Sequence, residues 1–153
     1  MAARFAAEHW AEAGGAIAQA ERLRARAEPL ADRDAEAYAA ALEALRRPRG
    51  RDSEERDRLL GEALSRAADV PLEIASVAAD VAALSEEIVR RGNPNLYGDA
   101  LAGGILAEAV ARIAANLVAI NLTMVEEDER VARARALADE AARAVRRAIE
   151  SGS

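Results

Sequence analysis

The sequence predicts an all-α protein, an up-and-down bundle of about five to six helices, and two observations carry most of this prediction. Alanine is abundant and aromatic residues make up only 3% of the chain, so the core must come from alanine and aliphatic side chains, which favours helices. Apolar residues recur at spacings of three and four, and no segment alternates as a strand does. A chain of 153 residues suits a single domain over 1–153.

Helices in the first half of the chain are separated by proline and by one charged loop. Residues 3–27 have a helical pattern, which Pro29 kinks or ends. A second helix over 30–46 carries Asp34 on the apolar face that is expected to be buried. The charged stretch RRPRGRDSEERD begins at position 46, and a third helix runs from about 52 to 68.

Boundaries in the second half are also marked by particular residue types. Val70-Pro71 indicates a break or a kink before a helix that continues to position 91. Gly92 is expected to end that helix in the left-handed conformation. Thr123 and Glu126 have the spacing of a capping box, which predicts the start of a last, amphipathic helix.

The most apolar stretch, residues 92–122, predicts a central helix from about 98 or 99 to 122 that is surrounded by the others. Glu108, Arg112 and Asn116 form one polar line along it, and we expect Glu108 and Arg112 to pair. Because an ionisable group at mid-bilayer costs about 2.5 kcal/mol or more, we expect no membrane span. The few other helices of one chain are not expected to cover every face of so apolar a helix. We therefore expect a homodimer, in which a second subunit covers the remaining faces.

Composition excludes several classes of function. The net charge is -6 without a basic stripe, which argues against a nucleic-acid partner. The sequence has neither lysine nor cysteine, which excludes Schiff-base lysine chemistry and thiol nucleophiles. His9 is the only histidine, so we expect no zinc site, no other metal and no cofactor, and a partly exposed position for His9 beside Trp10. No secretory signal is visible, and we expect a cytoplasmic protein.

Chemistry would therefore rest on carboxylates, tyrosine, asparagine or arginine. Asp34 is the main candidate, because a carboxyl group on an apolar face favours its neutral form and can act as a general acid. The alternative is a first-turn acid that interacts with the helix dipole. Asp99 has the same alternative at the start of the central helix. Asn121, near the end of that helix, would satisfy a terminal carbonyl.

Three strings carry a resemblance to a known family: LADRDAEAYAAALEALRRP, ALSRAADVPLEIA and GNPNLYGDALAGGILAEAVARIAANLVAINL. In this order and spacing they resemble the formiminotransferase-cyclodeaminase C-terminal family, which includes formimidoyltetrahydrofolate cyclodeaminases and methenyltetrahydrofolate cyclohydrolases. The resemblance implies an all-helical homodimer that acts on a folate, with polyglutamylated folates included among the substrates. Arginines would hold the glutamate carboxylates, although the sequence does not indicate which arginines.

The resemblance also implies roles for individual residues. Asp34 matches the aspartate that is the proposed proton donor of the family's cyclodeaminases. The family's turn falls on Asn93 to Asp99, with Gly98 where serine is usual. The implied substrate-binding residues are Asn93, Asn95, Asp99 and Asn121, and the two oxygens of Asp99 would accept hydrogen bonds from the pterin.

The implied reaction converts 5-formimidoyltetrahydrofolate to 5,10-methenyltetrahydrofolate and ammonia. Two alternatives stay open: a methenyltetrahydrofolate cyclohydrolase, and a non-catalytic helical dimer that has lost the folate site. The chain departs from the family at its front, where a Gly-Gly-Gly-Ser motif and a long apolar helix are usual, and Gly14-Gly15 is too close to Asp34 to replace them. Either the start is placed late or a helix has been lost.

Overall fold

The computed structural model describes residues 10, 13–46, 53–123 and 127–152, and these residues form an all-α bundle. The α-helices are α1 (Ala13–Ala27), α2 (Leu30–Arg46), α3 (Ser53–Ala67), α4 (Asp69–Arg91), α5 (Tyr97–Asn121) and α6 (Glu129–Ser151), with a 3₁₀ turn at Pro94–Leu96. No strand occurs within the described ranges. The predicted fold class is confirmed, and the first predicted helix is described only from position 13, so His9 lies outside the described residues.

The centre of the bundle is made by α4, α5 and α6, which pack together through alanine. Ala82, Ala111 and Ala141, one from each helix, are fully buried. At Gly104 an added Cβ would lie 3.1 Å from the Cβ of Ser85, so α5 approaches α4 as closely as glycine allows. Small side chains therefore bring the three long helices close together.

The helices α1, α2 and α3 pack around this centre in two smaller clusters. Leu23 and Leu30 meet Val77 and Leu84 of α4, together with Trp10. The other cluster joins α2 to α3 through the buried alanines Ala41, Ala44 and Ala63. As a result α2 is held at its start by α4 and along its second half by α3.

Two arginines tie α6 to the rest of the bundle. Arg147 donates to both carboxylate oxygens of the buried Glu86 on α4, at 2.8 and 2.7 Å. These hydrogen bonds lower the pKa of Glu86 despite its burial. Arg130 donates to Asp128 and reaches Asp69 at 2.7 Å, and its hydrogen bonds lower the pKa of Asp128 to about 2.

Helix boundaries confirm one sequence prediction and correct two. The chain breaks between Ala67 and Asp69, as Val70-Pro71 predicted. The left-handed ending at Gly92 is wrong, since its φ is -82° and its N–H donates to the Ile88 carbonyl at 2.8 Å.

The predicted capping box at the start of the last helix is wrong as well. The side chain of Asp128 caps α6 by accepting from the Arg130 N–H. Thr123 instead donates its hydroxyl to the Ile120 carbonyl at 3.0 Å, because it follows the end of α5 rather than preceding α6. Glu126 lies outside the described residues.

The helix α5 is less buried than the sequence predicted. The Pro94–Asn121 segment is long and apolar enough to cross a membrane, and only 33% of its most apolar window is buried in the chain. The buried side chains are small (Ala100, Gly104, Ala107, Ala111, Ala114, Ala115 and Val118). The large apolar side chains are instead exposed (Ile105, Leu106, Val110, Ile113, Leu117 and Ile120). The predicted pair of Glu108 and Arg112 is confirmed at 2.5 Å, and Arg112 lies 64% exposed.

Candidate functional site

One apolar cavity contains two of the residues that the sequence singled out. Its volume is about 410 Å³, and it lies between α2, α3, the start of α4 and the end of α5. The lining residues are Asp34, Tyr38, Ala41, Leu42, Leu45, Leu60, Leu64, Ala67, Pro71, Leu117, Ile120 and Asn121. This volume lies within the range of small-molecule sites, about 300–1,000 Å³.

Asp34 is exposed in the single chain, which corrects the prediction that its face of α2 is buried. Tyr38, one turn later, is 63% exposed, and Leu45 is 50% exposed. The periodicity did define one face of α2: Leu30 and Ala41 on it are buried, whereas Asp34, Tyr38 and Leu45 are exposed and border the open cavity. Asp34 therefore lies at the rim of an apolar hollow that the chain itself leaves uncovered.

Asn121 reaches the same cavity from the last turn of α5, where it is half-buried. It is separated from Asp34 by 87 positions in the sequence, so only the packing of α2 and α5 on α3 and α4 brings them to one cavity. A carboxyl group, a phenol hydroxyl and a carboxamide at an apolar hollow can donate a proton and hydrogen-bond the polar edge of a flat ring.

The remaining predicted site residues lie at the opposite end of α5. Asn93 accepts a hydrogen bond from the Asn95 N–H at 3.0 Å, which stabilises the 3₁₀ turn. Asp99 is exposed in the first turn of α5 and does not cap it, since Leu96 occupies the N-cap. At 1.5 Å per residue, Asp99 and Asn121 are about 33 Å apart along α5. One chain therefore does not bring these residues to the cavity of Asp34.

Tyr38 is a candidate functional residue that the sequence interpretation did not single out, although it lines the same cavity as Asp34. The signal was present, because a residue four positions after Asp34 lies next to it on a helix. Leu117 and Ile120 were also missed as cavity residues, since their pattern indicated a core position. No group of three His, Asp or Glu side chains suited to a metal occurs among the residues that the structure describes.

Comparisons with known proteins agree with this architecture. The family described as Formiminotransferase-cyclodeaminase matches residues 2–140 of the chain. Among solved structures, formiminotetrahydrofolate cyclodeaminase from Thermotoga maritima is similar, with a TM-score of 0.68 and 27% sequence identity. That match covers 85% of this chain and 65% of the Thermotoga chain, so this chain spans less than two thirds of its length. No curated protein matches. With a match over nine tenths of its residues, the chain belongs to the formiminotransferase-cyclodeaminase family.

Proposed function

We propose that the chain closes the ring of 5-formimidoyltetrahydrofolate, with Asp34 as the proton donor. N10 of the folate attacks the formimidoyl carbon and forms the new carbon–nitrogen bond. The bond from that carbon to the formimidoyl nitrogen then breaks, and the nitrogen leaves as ammonia. An amine leaves poorly unless it is protonated, so a neutral carboxyl group at the leaving nitrogen accelerates this step.

The observation that carries the proposal is the shared cavity of Asp34 and Asn121. Its apolar lining suits the faces of a pterin, and Asp34, Tyr38 and Asn121 offer polar groups for a ring edge. Tyr38 would contribute a hydroxyl one helical turn from Asp34. The family membership supports a folate as the substrate class.

The second part of the proposal is a homodimer formed through α5. Its outward residues include six large apolar side chains that are 41–68% exposed, the highest value being that of Leu106. A contiguous apolar surface of this kind is typical of an interface rather than of a soluble monomer. Since Leu117 and Ile120 belong both to this surface and to the cavity, a second subunit would cover the rim on which Asp34 lies. That cover would favour the neutral carboxyl group that the reaction needs.

The exposure of Asp34 also favours one alternative, a non-catalytic dimer that kept the packing and lost the site. The cyclohydrolase alternative uses the same fold, with water adding to the methenyl carbon to open the ring. An assay with both substrates distinguishes these three functions.

The experiment mixes the purified chain with 5-formimidoyltetrahydrofolate and follows methenyltetrahydrofolate by absorbance. We expect product, and we expect Asp34→Asn to lower kcat by about 10²–10⁴-fold, the usual contribution of general acid catalysis. Asp32→Asn is the matched control, because Asp32 is equally exposed on α2 but does not line the cavity. Turnover of methenyltetrahydrofolate alone would establish the cyclohydrolase, and turnover of neither substrate would contradict the proposal.

A further inference from the structure

The cavity of Asp34 has two walls that belong to different parts of the fold. Most of its lining residues lie on α2 and α3, and the rest lie on α4 and α5. The helices α2 and α3 pack more extensively on each other than on any other helix, and their buried alanines form a cluster separate from that of α4, α5 and α6. We call α2 and α3 together the hairpin. The width of the cavity therefore depends on how the hairpin is held against the other helices.

The hairpin joins the rest of the bundle at one end. Leu30, the first residue of α2, packs against α4, and α3 passes into α4 through Ala68, which is fully buried in the central cluster. Among the residues that the structure describes, the opposite end, near Arg46 and Ser53, contributes nothing to the two larger clusters. At 1.5 Å per residue α3 is about 22 Å long, so a tilt of about 10° at Ala68 would move its far end by about 4 Å.

A single arginine, Arg130 in the first turn of α6, binds both sides of this joint. Its Nη1 donates to the Ser65 carbonyl in the last turn of α3, at 2.8 Å, and to the Asp69 carboxylate in the first turn of α4, at 2.7 Å. Its Nη2 donates to the Ser65 hydroxyl at 2.8 Å. The remaining N–H groups donate to Asp128, which also caps α6. All five guanidinium N–H groups thus have an acceptor, and three helices meet at one planar group.

These hydrogen bonds fix the angle between α3 and α4 because their acceptors lie on either side of Ala68. A guanidinium group is rigid and planar, so Ser65 and Asp69 can accept from the same Nη1 only over a narrow range of orientations. Carbonyls in the last turn of a helix have no partner within that helix, which leaves the Ser65 carbonyl for Arg130. The side chain of Arg130 is 21% exposed, and water therefore competes less for these hydrogen bonds than at a fully solvated arginine.

We propose that Arg130 is a positioning residue that sets the width of the cavity by holding the hairpin at one angle. This inference deepens the proposed function, and only its kinetic part rests on that function. The joint that Arg130 holds contributes Ala67 and Pro71 to the cavity lining. A change of angle at the joint is therefore transmitted directly to the wall that a bound ring would contact.

A change of angle affects the two ends of the cavity differently. Asp34 lies one helical turn after Leu30, close to the attached end of the hairpin, and moves little. Leu45 and Leu60 lie toward the opposite end, where they line the cavity with apolar surface. Loss of the hydrogen bonds of Arg130 therefore withdraws apolar contact from the substrate while the proton donor stays near its place. Such a change raises KM more than it lowers kcat.

Spin labels measure the position of the hairpin without any assay of activity. The chain has no cysteine, so Glu54→Cys in the first turn of α3 and Ala83→Cys on α4 supply the only thiols, both at exposed positions. The labelled chain is diluted with unlabelled chain, so that double electron–electron resonance reports distances within one chain. We expect one narrow distance distribution when Arg130 is present, and a shift or broadening of about 4 Å in Arg130→Gln.

The matched control is Arg147→Gln. Arg147 also ties α6 to α4, but it binds Glu86, which lies about 25 Å along α4 from Asp69 by the helical rise. We expect the label distances in this variant to equal those of the parent. An unchanged distribution in Arg130→Gln, or an equal change in Arg147→Gln, would overturn the proposal.

A milder variant keeps the test decisive if Arg130→Gln does not fold. Asp69→Asn removes the charge of one acceptor beside the joint, and the side chain of Asp69 is 59% exposed, so the fold should tolerate the change. We expect a smaller change of the label distances in the same direction. If only this variant folds, a distribution identical to that of the parent would count against the role of Arg130.

Steady-state kinetics with 5-formimidoyltetrahydrofolate test the effect on the cavity. In Arg130→Gln we expect KM to rise about tenfold, which corresponds to about 55 Å² of lost apolar contact, and kcat to change by less than about threefold. A purely structural role would act differently, since a smaller folded fraction lowers the apparent kcat and leaves KM unchanged. That second pattern would contradict the proposal. Arg147→Gln should keep the KM of the parent.

The two measurements separate failure of this inference from failure of the proposed function. If the parent chain turns over neither folate, the proposed function falls, and the label distances still decide whether Arg130 holds the hairpin. If the parent is active and Arg130→Gln changes neither the distances nor KM, the function stands and this inference falls.

Discussion

The role of Tyr38 in the cavity can be tested by removing a single oxygen atom. It lies one turn after Asp34, and its side chain is 63% exposed, so its ring contributes little to the fold. Tyr38→Phe removes only the hydroxyl group. If that group binds the folate, the loss of one hydrogen bond of about 1.4 kcal/mol lowers kcat/KM by about tenfold.

Steady-state kinetics and thermal unfolding measure the two effects of this change separately. Tyr97→Phe is the matched control, because Tyr97 is the other tyrosine of the chain and lies against Gly152 at the C-terminal end of α6. An unchanged kcat/KM in Tyr38→Phe would remove the hydroxyl from the site. A lower Tm would instead indicate a structural role.

For single residues, the sequence predicted which side chains belong to the candidate site better than it predicted how buried they are. Asp34 and Asn121 were singled out, and they do line one cavity. The burial of Asp34 was wrong because helical periodicity groups residues on a face without showing whether another element covers that face. The resemblance to a family selected the residues, but only the packing of α2 and α5 on the two helices between them, α3 and α4, brings them to one cavity.

The ion pair of Glu86 on α4 with Arg147 on α6 leads to a prediction about the free energy of unfolding and its dependence on pH. Glu86 is 8% exposed and accepts two hydrogen bonds from Arg147. Glu86→Gln removes the charge, and we expect a loss of about 1–2 kcal/mol of unfolding free energy at pH 7, measured by urea denaturation. The pair Glu43 and Arg46 lies more than 70% exposed, so Glu43→Gln is the control and should change stability by less than about 0.5 kcal/mol.

The pH dependence of this contact has a definite sign. The pKa of Glu86 is lowered from 4.5 in the folded chain, so its contribution is fully present above about pH 4.5. It is lost as the pH falls through the lowered pKa of the folded state. Glu86→Gln should therefore lose less stability than the parent between neutral and acid pH, and equal acid losses in the two proteins would contradict this account.

The boundaries of elements show where sequence patterns are ambiguous. Pro71 correctly indicated the break before α4, because proline restricts the backbone wherever it occurs. Thr123 and Asp128 are both good capping residues, and their order in the chain does not show which of them begins α6. The structure resolves this through the Asp128 side chain, which accepts from the Arg130 N–H at 2.9 Å.

For the whole molecule, the state of association depends on the outer face of α5. Ile113 lies at the middle of that face and is 60% exposed. Ile113→Arg places a charge in the proposed interface, and we expect a monomer in sedimentation at micromolar concentration. Ile149→Arg is the control, because Ile149 is 45% exposed on α6 and should leave a dimer. A dimer of unchanged strength in Ile113→Arg would place the interface elsewhere.

The fold of the whole molecule was predictable because the helical spacing is consistent along most of the chain. The distribution of α5 residues was harder to predict, since almost every side of this helix is apolar. The sequence indicated a helix surrounded by other helices, whereas one chain covers only the side with small residues. Apolar character predicts that a surface is covered, but it does not distinguish cover by the same chain from cover by another.

The separation of small inward residues from large outward residues has a consequence for how α5 tolerates mutation. On the inner side most positions are already alanine or glycine, so substitutions there chiefly add volume, and overpacking costs about 1–3 kcal/mol. Gly104, with Ser85 only 3.1 Å from an added Cβ, should be among the strictest positions. On the outer side other apolar side chains should be accepted and charges rejected. A saturation scan of α5 would therefore show two opposite rules, with size limiting one side of the helix and polarity limiting the other.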